Sequence, residues 1–398
     1  MPVALLKPGE ADRVVAGHPW IYAGSIKRLT SEVAPGDAVL VKDHRQRLLG
    51  TGFINPDSKV RIRLLSRDRE DLDAVDFFER RFQDALSWRR RRGGNQSSFR
   101  WINAESDFLS GLIVDVYEGH WVIQISSLGM ERRRNRILEA LKRVMKPASI
   151  IERRDHAGRR YEGLPVESEA NVMEGSAGCI EAKINDLSFG VDLSGGHKTG
   201  FYLDQQDNYR KVARFGKGGR VLDCFSFQGG FAIHAAKEGA ASVVGLDQSG
   251  EAVVTATKNA EMNGVQATCR FEETNVFDWL KEATRVPKNE KLIPSYDLII
   301  LDPPSFTRSR ATVRDALRGY KEIHLRALKL LRTGGVLATF CCSHHVDKEL
   351  FMDVILASAY DAKRTLRLIE PYAQSLDHPI LPAVPETEYL KGFAFEVC

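Results

Sequence analysis

Cys342 and Asp302 are the residues whose types and spacing could do chemistry. The stretch Phe340-Cys341-Cys342-Ser343-His344 begins 38 residues after Asp302-Pro303-Pro304-Ser305-Phe306, and each closes an apolar, strand-like run. A thiol and an acidic loop at neighbouring strand ends are what covalent attack on a pyrimidine ring requires. Carbon 5 of cytosine or uracil is a poor nucleophile. A thiolate added at carbon 6 turns the ring into an enamine-like species that can take a methyl group, and this needs an activated cysteine. If strand alternation continues through the pair, Cys341 and Cys342 point to opposite sides. The competing reading is two small buried residues, a common fate for cysteine. A proton must also leave carbon 5, and the candidate bases are Asp302, His344 and the acidic segment Pro385-Glu386-Thr387-Glu388. Asp302 has a second role open to it, a hydrogen bond to ring nitrogen 3. Pro303 and Pro304 stiffen the loop and leave its carbonyls to grip a flat base, on which Phe306 could stack.

A second constellation lies upstream. Asp223-Cys224-Phe225-Ser226-Phe227-Gln228-Gly229-Gly230-Phe231 follows a strand and opens a helix. Adjacent glycines let a ligand approach the backbone at a helix N-terminus. The pattern is not G-x-G-x-x-G, which argues against a dinucleotide. Asp247 ends the next strand, placed to accept from ribose hydroxyls. Asp278, in Asn275-Val276-Phe277-Asp278, lies where a third loop reaches an adenine amino group. Three carboxylates at consecutive strand ends, with no phosphate-binding lysine, favour S-adenosylmethionine, a cationic sulfonium, over ATP. Leu193 to Gln206 is glycine-rich and then aromatic and polar. It reads either as a lid over the cofactor, with Gln206 and Arg210 facing it, or as a hairpin with a loop. Gly195-Gly196-His197-Lys198-Thr199 lacks the upstream glycine of a Walker motif.

The elements that must position these residues follow from periodicity. After Tyr209, strands at 220–223, 242–246, 268–271, 296–301 and 336–340 alternate with helices at 231–238, 250–263 and 317–331. That is the pattern of an α/β, mostly parallel, doubly wound sheet. Residues 1–70 read as a small β-barrel: Ala38 to Val41, Gly50 to Ile54 and Val60 to Leu64 are short strands, the last alternating apolar with basic. Residues 71–180 form an α+β module, with helices at 72–92 and 131–144 and strands at 112–117, 121–125 and 149–153. Gly94 to Ser98 reads as a polar loop. The third domain is 181–398.

A chain of 398 residues suggests two or three domains. No run approaches a membrane span and the first residues form no signal peptide. Six cysteines without metal-ligand spacing indicate free thiols and a cytoplasmic setting, with no metal. The net charge of +4 hides an asymmetry, because residues 1–160 hold 30 Lys/Arg against 21 Asp/Glu. The basic residues cluster at Arg89 to Arg92, Arg132 to Arg134, Arg153-Arg154 and Arg159-Arg160, a pattern suited to a polyanion such as RNA, with Arg89 and Arg90 as the nominated contacts.

At these residues the chain resembles the ribosomal RNA large-subunit cytosine-5 methyltransferases that carry an N-terminal PUA domain. The matching stretches are Gly17-His18-Pro19-Trp20-Ile21-Tyr22, Gly50-Thr51-Gly52-Phe53-Ile54-Asn55-Pro56 with Ser58, and Ser110-Gly111-Leu112-Ile113-Val114-Asp115. Further on come His197 to Gln205, Asp223 to Phe231, Asp302 to Phe306, Arg318-Gly319-Tyr320-Lys321 and Phe340 to Ser343. The resemblance implies a PUA barrel, a small central α+β domain and a C-terminal Rossmann-like S-adenosylmethionine domain. It implies Cys342 as the nucleophile, Lys321 among the substrate-side residues, large-subunit ribosomal RNA as the partner, and homodimers in at least some members. The other group of RNA cytosine-5 methyltransferases has a cysteine in the Asp-Pro-Pro loop; this chain has none there, so two-cysteine product release is not available. Uracil carbon-5 methylation, exocyclic amino methylation and a non-catalytic ribosome-assembly role are the alternatives.

Overall fold

In the computed structural model of the chain we describe all residues except 177, 196–199, 286–292 and 308, and only the backbone of Arg310. The lid candidates His197, Lys198 and Thr199 therefore lie outside the described residues. The chain divides into two compact units. The first comprises residues 1–184, 191–203 and 376–387, and the second residues 185–190, 204–375 and 388–398.

The first unit opens with six strands: β1 (Val3–Leu6), β2 (Trp20–Tyr22), β3 (Ile26–Leu29), β4 (Ala38–Lys42), β5 (Leu48–Ile54) and β6 (Val60–Ser66), with a single helical turn α1 (Asp12–Val15) after β1. They form one sheet in the order β2-β6-β5-β4-β1-β3. Its core is Leu6, Val39, Val41, Ile54, Ile62 and Leu64. The alternation along β6 works as expected, burying Ile62 and Leu64 between half-buried arginines.

A second sheet in this unit runs β11-β10-β9-β8-β7. It is built from β7 (Ser98–Asn103), β8 (Leu112–Tyr117), β9 (His120–Ile125), β10 (Ser149–Glu152) and β11 (Asn171–Glu174), with helices α2 (Val75–Gly93), α3 (Leu128–Glu131) and α4 (Arg134–Val144). Phe78, Phe82 and Leu86 of α2 pack with Ile137 and Leu141 of α4 against Trp101 and Trp121. Strand β7 starts inside what the sequence presents as a loop, because its pairing with β8 slips between Arg100 and Ile102, breaking the alternation. Strands β12 (Cys179–Ile184) and β13 (Leu187–Asp192) follow.

The second unit is α5 (Gln206–Ala213), β14 (Arg220–Cys224), α6 (Gly230–Lys237), β15 (Ser242–Asp247), α7 (Gly250–Met262), β16 (Cys269–Glu273), α8 (Val276–Ala283), β17 (Tyr296–Leu301), α9 (Val313–Leu330), β18 (Leu331–Cys341), α10 (Lys348–Ala362), β19 (Leu366–Ala373) and β20 (Lys391–Val397). The sheet order is β16-β15-β14-β17-β18-β20-β19. Strands β14 to β18 are parallel, and β20 runs antiparallel to both β18 and β19. The order reverses between β14 and β17. In open α/β sheets that switch point is where a ligand binds, outside the carboxyl ends of the strands. Asp223, Asp247, Asp302 and Cys342 all stand at those ends.

Candidate active site

The loop after β14 is bent by three left-handed residues in five, Phe225 (φ 66°), Phe227 (φ 46°) and Gly229 (φ 85°). Non-glycine residues in this region are strained and persist only when their surroundings hold them. Here the hold is Asp247, whose Oδ2 accepts from the Phe227 amide at 2.8 Å while its Oδ1 accepts from the Ser249 amide at 2.9 Å. The Asn259 amide also donates to the Gln228 carbonyl at 3.0 Å. Gly230 has no room for a side chain, since a Cβ there would lie 2.7 Å from the Tyr209 ring.

Asp223 is wholly buried and its Oδ2 accepts from the Ala232 amide at 3.0 Å. Its Oδ1 has no hydrogen-bond partner, and neither do Ser226 Oγ and Gln228 Oε1 in the same loop. Burial pushes the Asp223 carboxyl well above its ordinary range, and the nearby Asp302 and Asp247 carboxylates push it the same way. Three carboxylates from three adjacent strands thus converge, and they raise one another's cost of ionisation. A ligand bringing a positive charge and hydrogen-bond donors meets both needs, and S-adenosylmethionine brings a sulfonium, an ammonium and ribose hydroxyls. The residues fit that cofactor. Asp278 stands exposed on the first turn of α8, which Asn275 caps by accepting from the Phe277 and Asp278 amides.

Gln206 begins α5, buried, with its carbonyl accepting from Asn185 at 2.6 Å. Arg210 does not turn inward as expected. Its side chain is mostly exposed and reaches Asp207, one helical turn back, at 3.5 Å.

The acceptor loop follows β17. Asp302 is half-buried, Pro303 buried and Pro304 exposed. Phe306 is half-buried. Its ring lies 4.7 Å from Tyr320 and 5.6 Å from Phe277, inside an aromatic cluster that also includes Phe225. That cluster joins the cofactor-side loops to the acceptor loop, a structural duty the sequence does not reveal. Lys321 likewise sits on α9 and pairs with Asp361 of α10 at 2.7 Å.

The two cysteines at the end of β18 part as alternation requires. Cys341 is fully buried in the apolar core, whereas Cys342 is half-buried with its Sγ 4.0 Å from the Pro303 carbonyl. Burial pushes the Cys224 thiol well up and the Cys269 thiol to about 12, so both are chemically inert. Of the candidate bases, Glu386 belongs to the first unit and is occupied there by His18 Nε2 at 3.1 Å and Arg13 at 3.3 Å. Glu388 pairs with Lys348 at 2.8 Å. Asp302 and His344 remain.

Sequence reasoning missed two residues here. Ser343 is buried, with its Oγ 2.9 Å from Ser305 Oγ and 3.3 Å from the Tyr320 hydroxyl, tying the thiol loop to the acceptor loop. Lys391 is buried and its Nζ donates to the carbonyls of Ser343 (2.8 Å) and Val346 (2.6 Å). The signal was a lone lysine opening the apolar run Lys391-Gly392-Phe393-Ala394-Phe395.

The basic clusters of the first unit are corrected by burial. Arg89 is not a surface contact: its guanidinium grips Asp107 at 2.5 and 2.7 Å and donates to the Asp377 carbonyl at 3.0 Å. Arg133, Arg153 and Arg159 are buried too. Arg90, Arg91, Arg132 and Arg160 stay exposed. Several of the matching front-end residues are also structural. Asn55 and Ser58 each donate to the buried Glu162 at 3.0 Å, and Arg63 does so at 3.0 Å. Among the described residues, no group of three or more His, Cys, Asp or Glu side chains could hold a metal ion, and no helix is long and apolar enough to cross a membrane.

A switch-point site with converging carboxylates, on a doubly wound sheet closed by an antiparallel strand, defines a class of group-transfer domain built for S-adenosylmethionine. The chain belongs to the S-adenosylmethionine-dependent methyltransferase family, whose pattern it matches over residues 133–395, and it carries a PUA-like domain at residues 5–67. Relatives named ribosomal RNA large subunit methyltransferase I are 36% identical over the whole chain and 98% of the protein from Klebsiella pneumoniae. The one from Tolumonas auensis is 38% identical over 94% of each chain. Among solved structures, a Streptococcus mutans protein described as a SAM-dependent methyltransferase superposes with a TM-score of 0.82 at 20% identity, covering all of both chains. Another methyltransferase, solved in complex with SAH, gives 0.83 at 20% identity, again with full coverage.

Proposed function

We propose that this methyltransferase forms 5-methylcytosine in large-subunit ribosomal RNA through a covalent adduct between Cys342 and carbon 6 of the base. The observation that carries the reading is the half-buried Cys342 at the end of β18, 4.0 Å from the backbone of the Asp302-Pro303-Pro304 loop. The choice of RNA rests on the relatives, which share the whole length of the chain and are named for that substrate.

The target base must leave its stack to reach a strand-end site. The stiff Pro303-Pro304 backbone grips its edge, and Asp302, in its protonated form, donates to nitrogen 3 as the ring accepts electron density. The Cys342 thiolate adds to carbon 6, forming the S–C6 bond and moving the ring's π electrons toward carbon 5. Bound S-adenosylmethionine would supply an electrophilic methyl group and leave as the neutral thioether S-adenosylhomocysteine, and Asp223 and Asp247 would hold it. Carbon 5 takes the methyl and then yields its proton to a base, Asp302 or His344. The returning electron pair restores the C5–C6 double bond and expels the Cys342 thiolate. Without a second cysteine in the acceptor loop, release falls to that elimination alone.

The test is Cys342→Ala with ribosomal RNA and labelled S-adenosylmethionine. Turnover falls by at least about 10³-fold while cofactor affinity is retained. Methylation at the normal rate would sink the covalent mechanism and leave an exocyclic amino target. Product analysis separates cytosine from uracil, because the thiol chemistry serves both.

A further inference from the structure

Between β10 and β11 the chain makes a short 3-10 helix, Ala157–Glu162. Side chains three residues apart share one face of such a helix, and here Arg159 and Glu162 both turn inward. Arg159 is 1% exposed, and its guanidinium donates to the Pro165 carbonyl at 2.7 Å, to the Ile125 carbonyl and to Glu131 at 3.1 Å. Glu162 is 3% exposed. One of its oxygens accepts from Ser58 and Arg63 and the other from Asn55, each at 3.0 Å, while its backbone carbonyl accepts from Asn55 at 3.1 Å. The helix is closed at both ends, by the His156 ring accepting from the Gly158 amide at 3.1 Å and by Gly163 in the left-handed region at φ 73°. The two residues between the anchors, Arg160 and Tyr161, face solvent, and Tyr161 is 77% exposed.

A single exposed tyrosine is ordinary. This one stands out by how its backbone is held and by what lies beside it. Ile62 and Leu64 point into the barrel core, so Arg61 shares the opposite face of β6 with Arg63, the residue that grips Glu162. Arg61 lies across from Asn55, whose amide donates to the Arg61 carbonyl at 2.9 Å. Lys59 follows Ser58 in the turn between β5 and β6 and is exposed. The bonds to Glu162 thus bring Lys59 and Arg61 alongside the 3-10 helix. Lys59, Arg61 and Arg160 form no ion pair among the described residues. The carboxylates of the same stretch are engaged, Asp155 with Arg153 at 2.7 Å and Glu167 with Arg154 at 3.1 Å, which leaves the exposed Asp57 as the opposing charge in the β5–β6 turn. An acidic protein segment would use these cations but has no flat face to offer with each charge. Single-stranded RNA offers one base per phosphate, and an aromatic ring stacks on any of them.

We infer that the Ala157–Gly163 turn is a stacking platform for an unpaired base of RNA, with Tyr161 against the base and Arg160, Lys59 and Arg61 on the flanking phosphates. The inference rests on RNA as the substrate class and adds where a single-stranded stretch is held. It is tested by filter binding of a large-subunit ribosomal RNA transcript over a series of salt concentrations. Tyr161→Ala weakens binding by roughly 5- to 150-fold, Tyr161→Phe stays within about twofold of wild type, and neither changes the salt slope. Arg160→Ala lowers the slope of log affinity against log salt by about 0.7. The urea midpoint and S-adenosylmethionine affinity hold in all three, because both side chains are exposed. Tyr161→Ala binding as tightly as wild type overturns the platform, and so does Tyr161→Phe binding as weakly as Tyr161→Ala. Equal affinity for the transcript with loss only on ribosomal particles also overturns it, in favour of a protein partner. A wild-type chain that does not bind the transcript at all defeats the RNA reading itself, so the two can fail separately.

Discussion

The two units treat buried carboxylates in opposite ways. In the first, Asp107, Asp115 and Glu162 are each met by an arginine: Arg89 on Asp107, Arg100 on Asp115 at 2.7 and 2.8 Å, and Arg63 on Glu162. In the second, Asp223 is as deeply buried but among the described residues meets only a backbone amide, with two further carboxylates nearby. An internal anion fixed to a fixed cation is architecture, and removing either partner strands the other. An internal anion left without one is unfinished until a ligand arrives. This difference, rather than burial or polarity alone, separates frame from site here.

The comparison can be broken most forcefully on the frame side. Arg89→Ala leaves Asp107 buried without its partner and lowers stability by about 3–5 kcal/mol in urea unfolding. A loss under about 1 kcal/mol would mean that this pair is not structural.

On the site side, Asp223→Asn weakens S-adenosylmethionine binding by roughly 10- to 100-fold, about 1.4–2.7 kcal/mol, measured by calorimetry. Its effect on stability has the opposite sign to that of Arg89→Ala. The folded Asp223 carboxyl is held above its unfolded value of 3.8, so its ionisation disfavours the fold. The penalty is absent below the unfolded value, grows as pH rises through the interval, and is complete above the folded value. The ligand-free variant is therefore more stable than wild type at pH 7, and the two converge near pH 3. A variant less stable than wild type at pH 7 would place Asp223 with the frame.

Ser343→Ala removes the links to Ser305 and Tyr320 and lowers stability by about 1 kcal/mol, with a larger effect on turnover than on cofactor affinity. The smallest change is expected at the surface. Arg90→Ala leaves stability within about 0.5 kcal/mol and reduces the slope of log affinity for RNA against log salt by about 0.9. An unchanged slope removes Arg90 from the RNA footprint.

Much of the second unit is legible along the chain. Tyr296–Leu301 is legible, because the apolar run Leu298 to Leu301 is closed by Asp302 and two prolines. Helix α10 cannot, because it is apolar on nearly every face and lacks the one-sided period that marks a surface helix. The arginine clusters mislead for a geometric reason. Arg89 lies three and four residues after Leu86 and Ala85, on the inward stripe of α2, while Arg90 turns outward. Asp223 and Cys342 are visible as strand-end residues. Lys391 is not, because its partners lie 48 and 45 residues away and no local rule connects them.

Residues 376–387 interrupt the second unit between β19 and β20 and belong to the first. Their side chains and backbone complete earlier structure: Asp377 takes the Arg100 amide at 2.7 Å, and Glu386 takes His18. During synthesis the amino-terminal part therefore waits. At about 5–20 residues per second, roughly 10–40 s separate the making of residue 184 from that of residue 387. Until then the His18 ring lacks its Glu386 carboxylate and the Arg100 backbone amide its Asp377 acceptor, so the first unit emerges early yet finishes among the last parts of the molecule. Dividing the gene near residue 184 would give a second fragment that holds the whole of its own unit and a first that lacks residues 191–203 and 376–387 of its own.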